Sequence, residues 1–253
     1  MASLQYAFSD LYTKVAEQMG LGSSPTGTDL TNVKAIVNRG YRRFLLPLIP
    51  DGQGKFKLHR WKFLKKTATL STRSGEWRYQ LPEDYSSMIV SFRFVSAEAY
   101  INPVERDEGY IIAQRRVSTS TSYPCNFAIR SGDYDPDTGQ LWEVIFDPCP
   151  NSVYDYYYTY RSMPAKLVND ADIPVGGSEA AECIMSCALA AGELQEDEKI
   201  GIQEQTAQQY IMTLIASDNE RVADTVGYNG DSSILSDDDV RPNGRLENIT
   251  YTV

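Results

Sequence analysis

The groups in this 253-residue chain that could ligate a metal or carry a reaction are four cysteines, one histidine and 34 carboxylates. Cys125, Cys149, Cys183 and Cys187 include no Cys-x-x-Cys pair. Cys183 and Cys187 are spaced to share one face of a helix. Zinc would need two further ligands beside them, and the single histidine, His59, lies far off in sequence. The four therefore read as small buried apolar residues of a reducing compartment, with no metal and no cofactor expected. No serine or cysteine nucleophile sits at a strained turn to accompany His59, and neither Gly-x-Ser-x-Gly nor His-Glu-x-x-His occurs. Two carboxylates suffice for a glycosidase, but among 34 such pairs arise by chance. Gly20-Leu21-Gly22 follows a helical pattern and lacks a Gly-Lys-Ser/Thr sequel, so it is no phosphate cradle. The expectation is a protein that is not an enzyme.

Residues that could make contacts are more prominent. Lys55, Lys57, Arg60, Lys62, Lys65 and Lys66 crowd one short stretch without an acidic residue. Such a patch meets a negatively charged partner or DNA phosphate, or else guards a solvated strand edge against aggregation. Tyr154, Tyr156, Tyr157, Tyr158 and Tyr160 could form a stacking platform, but Asp155 interrupts them and tyrosine favours strands in its own right. Sheet packing is the expected role. Charge is polarised along the chain. Residues 1–75 hold 12 basic against 4 acidic residues, residues 76–175 hold 8 against 15, and residues 176–253 hold 4 against 15, for a net of −10. Opposite patches on neighbouring copies favour head-to-tail contacts, which close into rings when the rotation permits.

The elements that position these groups follow from periodicity. Leu4, Phe8, Leu11, Tyr12, Val15 and Met19 form a helical stripe ended by Gly20 and Gly22. A second helix, capped by Asp29 or Thr31, carries Leu30, Val33, Ile36, Val37, Tyr41, Phe44 and Leu45 on its apolar face and stops at Pro47 and Pro50. A loop covers Asp51 to Lys57. Strands are predicted at Trp61 to Leu70, Glu76 to Leu81, Ile89 to Val95, Asn126 to Arg130, Leu141 to Phe146 and Val153 to Tyr160, with a hairpin turn at Asp133 to Gly139 and a short helix within Val104 to Arg116. Ser178 caps a further helix whose face of small residues is Cys183, Ile184, Cys187, Ala188, Ala191 and Leu194. After an acidic break at Gln195 to Lys199, a last helix places Ile202, Thr206, Tyr210, Thr213 and Leu214 on one side. From Asp218 the chain is polar and turn-rich, and it regains β-forming residues at Leu246 to Val253. No apolar run of about 18 residues exists and the N-terminus lacks a signal-peptide layout, which predicts a protein made in a cytoplasm.

Two stretches carry a resemblance, the first in three runs between Asn38 and Tyr85. Asn38-Arg39-Gly40-Tyr41-Arg42-Arg43-Phe44-Leu45 is followed by Trp61-Lys62-Phe63-Leu64 and then by Tyr79-Gln80-Leu81-Pro82-Glu83-Asp84-Tyr85. Later come the acidic helical segment Gly177 to Arg221 and Asp224-Thr225-Val226-Gly227-Tyr228-Asn229-Gly230-Asp231. The chain resembles the head-to-tail adaptor (connector) proteins of tailed bacteriophages, including the tail tubular protein A-like members. The resemblance implies a structural virion protein of the neck between capsid and tail, assembled in the host cytoplasm. It implies a dodecameric ring under the portal that continues the DNA channel, lets genomic DNA pass through its lumen without sequence specificity and receives a tail nozzle or the next tail component.

The expected fold class is α+β. Residues 1–57 supply N-terminal helices and 173–220 C-terminal helices of one bundle. An antiparallel β domain is inserted at 58–172, and 221–253 form an extended docking tail. Fully extended, that tail would reach roughly 100 Å. Leu246, Ile249, Tyr251 and Val253 are the candidate portal-docking residues, by strand addition. The alternatives are a nucleic-acid-binding module built on residues 55–66 and a glycan-binding tail component built on the β region. No membrane contact is expected.

Overall fold

The computed structural model describes residues 4–50, 54–95, 101–136, 139–197 and 201–220. The chain divides into a compact unit, Met1–Asp218, and a second unit, Asn219–Val253. The candidate docking residues Leu246, Ile249, Tyr251 and Val253 lie outside the described residues.

Helix α1 (Phe8–Gln18) starts later than the apolar stripe suggests, and Leu4 is 84% exposed. The start is set by polar groups. The Asp10 carboxylate accepts the Ala7 N–H at 2.9 Å, and the N–H groups of Phe8 and Ser9 donate to the carbonyls of Asp172 and Asp170. Donors that open a helix without an intrahelical partner are thereby satisfied. Helix α2 (Gly27–Leu45) begins at Gly27, two residues before the expected Asp29 cap, and buries Val33, Ile36, Val37, Gly40, Tyr41, Phe44 and Leu45. It ends just before Pro47, whose ring cannot continue it.

Helix α3 (Glu108–Val117) is capped by Asp107, whose carboxylate accepts the Gly109 N–H at 2.8 Å. Ser178 does not cap the next helix; a single 3-10 turn, Ser178–Ala180, leads into α4 (Ala181–Asp197). Cys183, Ile184, Cys187, Ala188 and Ala191 are buried as their spacing predicts, whereas Leu194 is 40% exposed, beyond the packed part of the helix. The final helix, α5 (Ile202–Glu220), turns a different face inward. It buries Ala207, Ile211, Ile215 and Asp218, while Ile202 and Tyr210 are exposed. The i, i+4, i+8 stripe that begins on a small alanine outweighs the larger residues beside it.

Helices α1, α2 and α4 pack on one another, and α5 adds Ala207, Ile211 and Ile215 to their common core. Trp61, Leu64 and Leu167 join that core from outside the helices. The closest approach is α2 on α4. A Cβ placed on Gly40 would fall 2.5 Å from Ala188 Cα, so only glycine admits the α4 backbone there.

The strands, in chain order, are β1 (Leu48–Pro50), β2 (Phe56–Leu58), β3 (Lys65–Ser71), β4 (Arg78–Gln80), β5 (Tyr85–Phe94), β6 (Val104–Glu105), β7 (Thr121–Ser122), β8 (Asn126–Asp135), β9 (Gly139–Asp147), β10 (Cys149–Pro150) and β11 (Asp155–Ser162). The chain is thus α+β. One sheet is β3-β11-β5, antiparallel throughout; a second is β4-β9-β8-β6, in which β6 joins β8 in parallel. The pair β7–β10 is also parallel, so the β region is mixed, not purely antiparallel. Residues read as loop between Pro50 and Lys57 belong in part to an antiparallel hairpin, β1–β2. Three-residue strands are too short to show an alternation. Trp61 and Phe63 are not in a strand but flank and enter a 3-10 turn, Lys62–Leu64.

Strand alternation sends successive side chains of β8 and β9 to opposite faces. Phe127, Val144 and Phe146 meet Phe92, Tyr156, Tyr158 and Tyr160 of the other sheet, while Ala128 and Ile145 pack with Ile111 of α3. The rings of Phe92 and Phe127 lie 4.9 Å apart edge to face, and those of Phe146 and Tyr156 are stacked at 5.6 Å. Aromatic surface, more than aliphatic, fills this second core.

Candidate interaction surface

Of the six cations between Lys55 and Lys66, Lys57 lies on β2, Lys62 on the 3-10 turn and Lys65 and Lys66 at the start of β3, while Lys55 precedes β2 and Arg60 lies between β2 and the turn. The segment is anchored between them by Trp61. Its ring is buried, stacks on Phe44 at 5.2 Å, and donates its indole N–H to the Phe44 carbonyl at 2.7 Å. That carbonyl is one that the end of α2 leaves without a helical partner. His59 Nε2 lies 3.1 Å from the buried Asp218 carboxylate of α5. The Lys62 N–H donates to the same carboxylate at 3.3 Å, and Lys62 Nζ donates to the Asp218 carbonyl at 2.5 Å. The lone histidine is therefore a fastener between the basic segment and α5.

The structure separates the six cations by task. Lys62 holds α5, and Lys66 pairs with Asp84 at 2.6 Å. Lys57, Arg60 and Lys65 are exposed and make no ion pair among the described residues. Lys55 precedes β2 and is exposed. A cation that spacing could not reveal joins them: Arg161, opposite Lys65 across β3 and β11.

A groove of about 500 Å³ runs between the β1–β2 hairpin and α5. Leu46, Pro47, Leu48, Phe56, Ile211 and Met212 line it. Leu48 and Phe56 are 65% and 71% exposed, more than a closed core would leave. At its side Arg43 Nη2 donates to Glu204 Oε1 at 2.6 Å, and Nη1 bonds the other oxygen. These bonds hold the Glu204 carboxyl below its ordinary value of 4.5. A depressed carboxyl stabilises the fold above its unfolded value and loses that effect as pH falls through the folded one. Glu204→Gln is therefore expected to cost about 1 kcal/mol near pH 7, a small figure because solvent screens the pair, and progressively less as acid protonates the carboxylate, for example at about pH 3. Urea denaturation of both proteins at the two pH values measures the difference.

Other residues that might have carried chemistry are internal. All four cysteines are free, Cys149, Cys183 and Cys187 are buried, and among the described residues no three His, Cys, Asp or Glu side chains are grouped to hold a metal. Tyr156, Tyr158 and Tyr160 are buried, so they offer no stacking platform. Among the described residues no helix is long and apolar enough to cross a membrane.

The stretches that carried the resemblance do structural work. Asn38 fastens the 167 segment from both sides: its amide nitrogen donates to the Leu167 carbonyl at 3.1 Å and its oxygen accepts the Leu167 N–H at 2.8 Å. Gly40 admits α4, Tyr41 accepts the Val175 N–H at 3.0 Å, and Arg43 reaches α5. Asp84 joins Lys66 to the Tyr160 hydroxyl, which donates to it at 2.9 Å. A family model described as SU10 adaptor protein matches residues 6–229, from before α1 to beyond α5. The chain belongs to the SU10 adaptor protein family. It is a bacteriophage adaptor, a structural component of the virion. No curated protein matches it. In this chain the motif residues mark where helices and sheets are tied together, as a framework for contacts requires.

Proposed function

We propose that this adaptor forms a dodecameric ring in the virion neck, between the portal and a tail nozzle, and continues the DNA channel. Family membership over residues 6–229 carries the reading. The charge polarity supports it, since a basic first third and an acidic last third suit a head-to-tail contact between copies. In this reading the helices of 1–57 and 173–220 form the body of the ring around the inserted 58–172. Genomic DNA passes a lumen lined by acidic residues, where like charge lets it slide. Leu246, Ile249, Tyr251 and Val253 anchor the C-terminal tail on the portal. The nucleic-acid alternative is less favoured, because Lys62 and Lys66 are already engaged inside the chain.

Full-length protein mixed with purified portal rings is expected to co-sediment with them as a ring of defined copy number by native mass spectrometry. A truncation lacking residues 240–253 is expected to remain folded by circular dichroism and to lose at least about 100-fold in portal affinity, some 2.7 kcal/mol. Portal binding unchanged by the truncation would overturn the role assigned to the tail.

A further inference from the structure

We propose that Arg161 and Lys65, on the face of the β3-β11-β5 sheet that points away from its aromatic core, form with the neighbouring Arg60 a docking site for carboxylate side chains of a protein partner. The site is a second candidate contact surface, built from described residues of the first unit alone.

Three observations converge. First, Arg161 alternates with Tyr160 and Ser162, which are both buried, so it projects from the opposite face of the sheet. Its Nε is buried and has no hydrogen-bond partner, while its Nη1 makes only a long contact, 3.5 Å, to the Ser87 hydroxyl on β5. A buried donor left unpaired is costly, and an arginine fork is shaped to receive a carboxylate on two N–H groups. Second, the register places Lys65 directly opposite Arg161 on one side and Ser87 on the other. Like charges facing each other across strands destabilise a sheet unless something neutralises them. Third, no carboxylate among the described residues does so. Among the described residues Arg60, Lys65 and Arg161 make no ion pair; Asp84, in the turn before β5, is held by Lys66 and Tyr160, and Glu83 pairs with none of the three. Burial, and then the charge of Arg60, hold the Arg161 guanidinium below the ordinary arginine value, which is the response of a cation lacking its counter-charge.

Protein carboxylates fit this site better than DNA phosphates. The chain carries a net charge of −10, which repels a densely charged duplex at long range more than a short acidic peptide, whose carboxylates at contact distance feel mainly the three cations. The site is also compact, and duplex binding draws on cations spread along many phosphates.

The test uses full-length protein labelled for arginine side-chain NMR, with the Arg161 Nε–H signal assigned by its loss in Arg161→Lys. A short oligo-glutamate peptide is expected to shift that signal, beyond any change caused by sodium chloride at equal ionic strength. Arg161→Gln and Lys65→Gln are each expected to weaken peptide binding about tenfold or more. Lys65 lies on the exposed rim, so its variant carries the test even if Arg161→Gln perturbs the sheet. An Arg161 signal that the peptide leaves unmoved would overturn the proposal. So would equal effects of peptide and chloride, peptide affinity unchanged in Lys65→Gln, or a larger response to a short DNA duplex than to the peptide.

Discussion

Replacing Gly40 with alanine is expected to destabilise the folded protein by about 3 kcal/mol or more, a large part of what a domain of this size possesses. The new Cβ would lie 2.5, 2.6 and 2.7 Å from Ala188 Cα, Ala188 N and the Cys187 carbonyl carbon. All three are main-chain atoms, so no rotamer change relieves the clash and α2 must separate from α4. Ala188→Gly should not rescue the variant, since the obstructing atoms remain. Gly192→Ala provides the contrast. Its Cβ would meet the end of the Val15 side chain at 3.3 Å, which can move, and the helix gains propensity from alanine. Its expected effect is under about 1 kcal/mol. Denaturation midpoints of the four proteins settle the ordering; a Gly40→Ala midpoint equal to wild type would mean the two helices are not in backbone contact.

Alkali is expected to unfold the β region in one cooperative step between about pH 10 and 12. Burial pushes Tyr85 and Tyr158 up to about 12 from an ordinary value of 10.0. Burial raises Tyr156 and Tyr160 as well, the latter with help from its bond to Asp84. The sign is that of an acid whose neutral form the fold prefers. The contribution is complete below the unfolded value near 10 and is lost as pH climbs towards the folded one. For Tyr85 and Tyr158 this amounts to roughly 2 to 3 kcal/mol each by pH about 12, together close to the whole stability of many domains. Tyrosinate absorbance at 295 nm should therefore rise together with the loss of near-ultraviolet circular dichroism. Tyr158→Phe, which removes one ionising group from the Phe92 cluster, should move the alkaline midpoint upward. A gradual titration of all 17 tyrosines with the near-ultraviolet signal intact would show the aromatic core to be open to water.

The contrast between α2 and α5 shows what could be read in advance. In α2 the large apolar residues lie on one stripe, and all but the partly buried Leu30 are buried. In α5 the large residues Ile202 and Tyr210 are exposed, and the inward stripe includes Ala207 and the charged Asp218. Hydropathy could not assign that face, because Asp218 is buried only by virtue of His59 and Lys62, which reach it from a distant part of the chain. The basic segment shows the same limit. Its composition was plain, but nothing local distinguishes Lys62 and Lys66, which are used internally, from Arg60 and Lys65, which are not. Arg161 could not be added to the group before strand register was known.

Composition and periodicity alone determined the helices at each end, the strand-rich middle, the polarised charge and the absence of any familiar catalytic pattern. Those properties depend on the order of residue types within a few turns or strands, and a linear text holds them completely. Only the tertiary structure decided that Gly40 must be small, that tyrosines 156, 158 and 160 are core, and that Lys65 and Arg161 face each other across two strands with no ion pair among the described residues. Each depends on which distant segments lie within a few ångströms of one another, and packing, not local propensity, chooses those neighbours.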